Sequence, residues 1–433
     1  MAPAAPLARR KVPNIWTPYG LASSPFFQEP LEPAEAGPRP ITLFVGREEA
    51  AQRLLVRFGS NEGSRTAVEG AAGVGKTTFI QFVKARATDP PRHLAHAKAI
   101  RVTSGVTHDF IGAEIVKTVL RTLTTCFGEA KLRKLPSVAE ARKLVEAVEQ
   151  LDFEAGISVL GSGGHFGRMR TRHGPARPPT QYHDLLEALV TEAKGIGVEG
   201  ILVHIDNLEN IQEDDIQEAR QLFRDIRDYL LIPGLHYILA GTSGLQREVL
   251  GHFPQVGSIF PDPISLEPLD METTLKLLKK RYQHLRLGNA RLIPPVEEAA
   301  VRSLHEAYRG DLRGMLNALN DAAEAVLGTG RPLPMNLERI LPSLQPSYRA
   351  RLERDLTATT FEQLEKVARL GHESFRQTDL TEPLALSAGR VNQVFREWLS
   401  AGAVRLVETR GRSKYYTLAG YARIAFGAPL TTS

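Results

Sequence analysis

The sequence predicts an α/β protein: a parallel-sheet core, then a helical region, then a C-terminal unit of three helices and two strands. Three observations lead there. Strand-length apolar runs alternate with helix-period segments from about residue 41 to 265, the pattern of a parallel sheet with crossover helices. From about 270 to 330 the strand runs stop and three helical patterns replace them. After residue 346 helical patterns give way to two β-rich runs around a short basic turn. At 433 residues the chain can build two or three domains, and 42% hydrophobic with 24% charged residues is the balance of a globular chain. The formal net charge of +5 permits anionic partners. Cys126 is the single cysteine, which excludes a disulfide framework and a thiolate metal site and fits a reducing compartment. No apolar run nears the roughly 20 residues of a membrane span. Arg9, Arg10 and Lys11 have no apolar segment after them, so the expectation is a cytoplasmic chain without a membrane partner, nucleoid-associated if it binds DNA.

The elements follow in order. Residues 1–40 are proline-rich, with Trp16, Tyr19, Phe26 and Phe27 among the prolines. They read as an extended arm, either pinned across its own domain by the aromatics or free to bind a protein partner. In the core, 41–268, strands are expected at Arg65–Glu69, Lys98–Thr103, Gly200–Ile205, His236–Ala240 and Ile264–Leu266. Helical periodicity occupies Phe110–Leu123, and a second helix Val138–Leu151. A helical region, 269–345, contains Met271–Leu285, Pro295–Tyr308 and Asp311–Leu327, with loop chemistry around Gly328–Pro346 marking its end. The last unit, 346–433, has helices at Phe361–Leu370, Thr378–Leu384 and Ala388–Ala401, then strands Ala403–Glu408 and Lys414–Leu418.

The first strand runs into Gly70-x-x-x-x-Gly75-Lys76-Thr77, followed by a helical run (Phe79, Ile80, Phe82, Val83). Glycines let successive backbone N–H groups converge on phosphate oxygens, and the helix places its positive end behind them. Lys76 can reach the β- and γ-phosphates and the Thr77 hydroxyl one position on Mg²⁺. Gly70, Gly73, Val74, Gly75, Lys76, Thr77 and Thr78 are thus expected to hold a nucleoside triphosphate. The apolar strand Ile201–Ile205 ends in Asp206, a second contributor to the Mg²⁺ site together with Thr77. Hydrolysis also needs a group to orient water. Asn207 can position water without taking its proton, and Glu209 stands two residues further, so slow turnover is expected. Thr242, closing the strand before Ser243, is a candidate for the γ-phosphate or the lytic water. Arg313 lies in the first turn of a helix opened by Gly310-Asp311, where a cation opposes the helix dipole and a phosphate partner would explain it.

These pieces, in this order, resemble the AAA+ ATPases over roughly 41–330. Gly70–Thr77 matches Walker A, Ile201–Asp206 Walker B, Thr242 sensor 1 and Gly310–Arg313 sensor 2 on a helical lid. Phe44-Val45-Gly46-Arg47-Glu48 is similar to the adenine-side motif, which implies that Gly46 and Arg47 contact the nucleotide. With the C-terminal unit, the chain looks most like the ORC/Cdc6-like branch, with the STAND signalling ATPases close behind. ATP rather than GTP is what this resemblance implies. It departs from the family in two places. Asn207 stands where Walker B has its glutamate, and Gly257-Ser258-Ile259-Phe260 stands where an arginine finger is usual, Arg247 being the nearest arginine. Self-association through the core follows from the resemblance, but trans-activated hydrolysis does not.

Residues 155–180 carry Arg168, Arg170, Arg172 and Arg177 among glycines and no acidic residue. They are either a surface insertion or a phosphate-binding hairpin. In the last unit, Ser387 caps a helix whose inner face is Val391, Val394, Phe395, Trp398 and Leu399, leaving Arg390, Asn392, Gln393 and Arg396 outside. The strand pair encloses a basic turn with Arg410, Arg412 and Lys414. This is a winged-helix pattern, with Arg390, Gln393 and Arg396 for the major groove and the turn for the backbone or the minor groove of double-stranded DNA; the same pattern also serves protein docking. Three functions are therefore open: an ATP-controlled DNA-binding switch, a STAND-like signalling or defence ATPase, and a transposition-type target selector.

Overall fold

The computed structural model describes residues 13–34, 37–102, 106–146, 179–206, 208, 216–328, 330–410 and 413–427. They fall into two units, 30–267 and 13–29 with 268–433.

Unit 30–267 is built on a parallel sheet. Its strands are β1 (Ser64–Glu69), β2 (His93–Ala95), β3 (Ile100–Arg101), β4 (Gly200–Asp206), β5 (Leu235–Gly241) and β6 (Ile264–Ser265). The order across the sheet is β2-β4-β5-β1-β6, with β3 pairing β4 beyond β2, so β1 lies between β5 and β6. The register places Glu69 opposite Gly241 and Ile205 opposite Leu239. Every residue of β5, and all of β4 except Asp206, is buried, as expected of strands covered on both faces. Helix α1 (Glu48–Ser60) precedes β1 and α2 (Lys76–Ala87) follows the loop after it, burying Phe79, Ile80 and Val83 completely. The long helix α3 (His108–Leu132) starts at Thr107, whose hydroxyl accepts from the Phe110 amide, and buries Ile111, Ile115, Val116, Val119 and Leu123. α4 (Pro179–Gly195) and α5 (Ile216–Asp225) follow in the chain. The expected strand Lys98–Thr103 shrinks to the two residues of β3, and the pairing shifts upstream to β2, a segment the apolar pattern does not mark.

The other unit is helical: α6 (Met271–His284), α7 (Glu298–Tyr308), α8 (Leu312–Val326), α9 (Leu337–Asp355), α10 (Ala358–Leu370), α11 (Ala388–Ser400), and α12 (Gly420–Ala425) after the antiparallel pair β7 (Val404–Arg410) and β8 (Ser413–Leu418). The expected helix Thr378–Leu384 is a 3₁₀ turn, Gln377–Leu380, running into a four-residue helix. The loop expected around Gly328–Pro346 gives way to α9, which crosses the anticipated boundary at 345. Its prolines 342 and 346 are exposed, while Ile340, Leu344, Tyr348 and Leu352 bury one continuous face. The hydroxyls of Ser343 and Ser347 donate to the carbonyls of Ile340 and Leu344. Arg405 of β7 donates to the carbonyls of Tyr308 and Arg309 at the end of α7, fastening the strand pair to the helices.

Residues 13–29 pack on this helical unit. Trp16, Tyr19, Leu21 and Phe26 are buried, and the Tyr19 hydroxyl donates to the Leu333 carbonyl at 2.9 Å. Arg281 of α6, 6% exposed, donates to the carbonyls of Pro25 and Phe27 at 3.1 and 2.7 Å and stacks over Phe27 at 3.8 Å. Burial brings its pKa down to about 9. Arg281→Ala would strand two buried carbonyls and a ring face, so we expect a loss of about 2–4 kcal/mol in a urea unfolding titration, with protease cleavage gained within 13–29. No described helix is long and apolar enough to cross a membrane.

Candidate nucleotide site and C-terminal basic face

β1 delivers the chain to Gly70 at the carboxyl edge of the sheet, where ligands bind in open α/β folds. A side chain at Gly70 would come 2.8 Å from the Leu266 carbonyl, so only glycine fits. Gly75, at φ 102°, is the left-handed residue that turns the loop into α2. Val74 is buried and anchors the loop from below. The Lys76 ammonium, 6% exposed, bridges the carbonyls of Gly70 and Ala71 at 3.0 and 3.2 Å, and so lies across the loop. Thr77 Oγ1 donates to Asp206 Oδ2 at 3.5 Å, bringing the first turn of α2 to the end of β4. Gly73, at φ 79°, and Thr78 complete the loop and first turn. Thr242 follows β5, and its carbonyl accepts from the Leu245 amide.

The adenine-side segment also makes contacts within the chain. Gly46 donates its amide to Glu48 Oε1 at 3.0 Å. Arg47 takes a left-handed φ of 66° and sends Nη2 to the carbonyls of Val74 and Glu267 at 2.9 and 2.6 Å. Its guanidinium braces the phosphate loop itself, and burial lowers its pKa to about 10. Phe44 stacks on Phe82 of α2 at 4.0 Å.

Three buried charged or polar residues near the loop are given no role by the motifs. Glu69, 6% exposed, directs its carboxylate to the amides of Gly244 and Gln246. Lys84, one turn beyond Ile80 on α2, is 2% exposed and donates to the carbonyls of His96, Ala97 and Lys98. Desolvation pulls its pKa down to about 7, against the pull of Asp206. His204, two residues before Asp206, is fully enclosed, and burial holds its ring neutral. A carboxylate or ammonium inside an otherwise apolar run is the only sequence signal for Glu69 and Lys84.

Residues 43–232 match the AAA ATPase domain family. This stretch is similar to AAA ATPase domains. No curated protein matches the chain significantly. Among solved structures, the chain is similar to the Aeropyrum pernix ORC2 protein in its ADPNP–ADP complexes, at 16% identity and TM-score 0.46, over 93% of this chain and 95% of that one. It is also similar to the Aeropyrum pernix ORC1 protein in complex with DNA, at 15% identity and TM-score 0.42, over 89% and 94%. A third is the Drosophila ORC bound to DNA, at 12% identity and TM-score 0.39, over 99% and 96%. Gly70–Thr78 and Asp206 fall within the matched residues, and the fold brings Thr77 to Asp206; Thr242 follows β5, just beyond the matched residues. Arg313 is exposed in the first turn of α8, after the cap that Asp311 places on the Gly314 amide, and belongs to the other unit.

In the C-terminal region, Ser387 caps α11 by accepting from the Arg390 amide. Val391, Val394, Phe395 and Trp398 are buried, and Trp398 Nε1 donates to the Thr360 carbonyl at 2.9 Å. Leu399 does not join them: it is 38% exposed, one residue-step around the helix from Trp398 and past the edge of the buried face. Arg390, Gln393 and Arg396 are exposed, with Arg390 Nη1 bonded to Gln393 Oε1 at 2.6 Å. Arg410 ends β7, and Lys414 pairs with Thr409 across the strands. Asn207, Glu209, Arg168, Arg170, Arg172 and Arg412 lie outside the described residues.

Proposed function

We infer that the protein is an ATP-binding switch that grips double-stranded DNA through its C-terminal unit and hydrolyses ATP slowly. The observation that carries the nucleotide half is the approach of Thr77 Oγ1 to Asp206 Oδ2 beside the loop that Lys76 spans. A hydroxyl and a carboxylate are hard oxygen donors, which suits Mg²⁺. When bound, Mg²⁺ would neutralise charge on the β- and γ-phosphates. Lys76 would leave the Gly70 and Ala71 carbonyls for the phosphate oxygens, and the amides at the start of α2 would face the same charge. Thr242 is assigned to the γ-phosphate, and the resemblance gives Arg313 a second cationic contact to bound nucleotide. Hydrolysis adds water to the γ-phosphorus and releases ADP. Asn207 orients that water without accepting its proton, so turnover is slow. Asn207→Glu is expected to raise steady-state phosphate release about tenfold or more, the scale of general-base catalysis; an unchanged rate would place the limit elsewhere.

The DNA half rests on α11. Its buried side is apolar, and its exposed side presents Arg390, Gln393 and Arg396 beside a strand pair with a basic turn, as in a winged helix. This favours DNA over protein docking and sets the ORC/Cdc6-like reading ahead of the STAND-like one. The test is titration of labelled duplex with ATP, ADP and no nucleotide at two salt concentrations. Salt-sensitive binding that changes with nucleotide is expected. No binding in any state would leave the C-terminal unit as a protein-docking module.

A further inference from the structure

Glu69 is the last residue of β1 and the residue before Gly70 of the phosphate loop. Its buried carboxylate accepts from the Gly244 amide at 3.0 Å through Oε2 and from the Gln246 amide at 2.5 Å through Oε1. Both amides belong to the turn that follows β5. That turn opens at Thr242, is closed by the Leu245 amide on the Thr242 carbonyl at 3.1 Å, and passes through Gly244 at φ 92°. Helix starts leave amides without intrahelical partners, and here one carboxylate satisfies two of them. β1 and β5 are neighbours with Glu69 opposite Gly241, so the side chain spans two adjacent strand ends at the edge where the phosphate loop begins. The backbone carbonyl of the same residue accepts from the Leu266 amide on the other side at 2.7 Å. Three segments that border the loop are thus held from one position.

We propose that Glu69 is a positioning residue that fixes Thr242 against the phosphate loop, and thereby sets how well the site tells ATP from ADP. The inference rests on the reading of Thr242 as the γ-phosphate contact. Glu69 itself touches no substrate: a buried carboxylate bonded to two turn amides sets the depth of Thr242, while Lys76 serves the β-phosphate that ATP and ADP share as well as the γ-phosphate.

The test uses the full chain with Mg²⁺ and measures dissociation constants for ATP and ADP by calorimetry. Glu69→Gln keeps the shape but turns one acceptor into an N–H donor against a turn amide. Gln246→Pro removes one amide and leaves the carboxylate, proline being tolerated in a first helical turn, and covers the case in which the first variant fails to fold. Both are expected to lower the preference for ATP over ADP about tenfold while ADP affinity stays within about twofold, the size of one broken charge-assisted hydrogen bond. Thr242→Val should lose a similar preference, and Thr242→Val with Glu69→Gln should be no worse than Thr242→Val alone, because the two act through one contact. If Thr242→Val loses the preference and Glu69→Gln keeps it, the positioning role is overturned while the site reading stands. If the wild type shows no preference, or Thr242→Val retains it, the site reading fails and takes the inference with it. Equal loss of ATP and ADP affinity in Glu69→Gln would show a generally disturbed loop and also overturn the proposal.

Discussion

Replacing Lys76 by alanine is expected to abolish measurable ATP turnover and to weaken ATP binding by about 10²–10⁴-fold. The ammonium is 6% exposed at the mouth of a loop whose other groups are neutral backbone. Two charge-assisted bonds to phosphate oxygens, at about 1.5–3 kcal/mol each, account for that range. Lys76 also bridges the Gly70 and Ala71 carbonyls, so its removal slackens the loop as well as discharging it. Binding measured with a fluorescent ATP analogue, together with a phosphate-release assay, checks both halves. The fold should survive, because the apolar anchors Val74, Phe79 and Ile80 are untouched. Retained tight binding would mean that the triphosphate lies elsewhere.

The second large effect concerns DNA. Alanine at Arg390, Arg396, Arg410 and Arg412 together should weaken duplex binding by about 10²–10³-fold near physiological salt. It should also flatten the dependence of affinity on salt by about 0.9 for each phosphate that is no longer neutralised. Arg390 and Arg396 are exposed on a helix whose buried side does not include them, so their removal leaves the core around Trp398 intact. Fluorescence anisotropy at four salt concentrations gives both numbers, and Trp398 emission reports that the unit is still folded. Unchanged affinity and slope would move the interaction surface off α11 and favour the protein-docking alternative.

Much of this is legible in the sequence, for identifiable reasons. The phosphate loop is local in sequence, and glycines at fixed spacing have few other uses. β4 and β5 announce themselves as largely apolar runs, each broken by one histidine, because both faces are covered. The apolar period of α11 gives its buried face from Val391 to Trp398, then runs one residue too far at Leu399. What escapes is non-local or is masked by a strong local signal. Glu69 looks like the end of a strand, since its two partners lie about 175 residues away and only the β1–β5 pairing brings them near. Arg47 matches a nucleotide motif, yet its hydrogen bonds go to the loop carbonyl of Val74 and to Glu267. The prolines at 342 and 346 suggest a loop because proline disfavours helix interiors. The four-residue spacing of Ile340, Leu344, Tyr348 and Leu352 outweighs them.

That helix changes what kind of joint lies between residues 337 and 355. A loop there would have been a tether, able to absorb any rotation upstream before it reached the residues beyond. Nineteen helical residues instead make a continuous shaft of about 28 Å, keyed along one apolar edge. Torque applied at α7 and α8 would therefore arrive at α10 with its direction kept, and inserting four glycines after Gln345 should act as a slipped clutch.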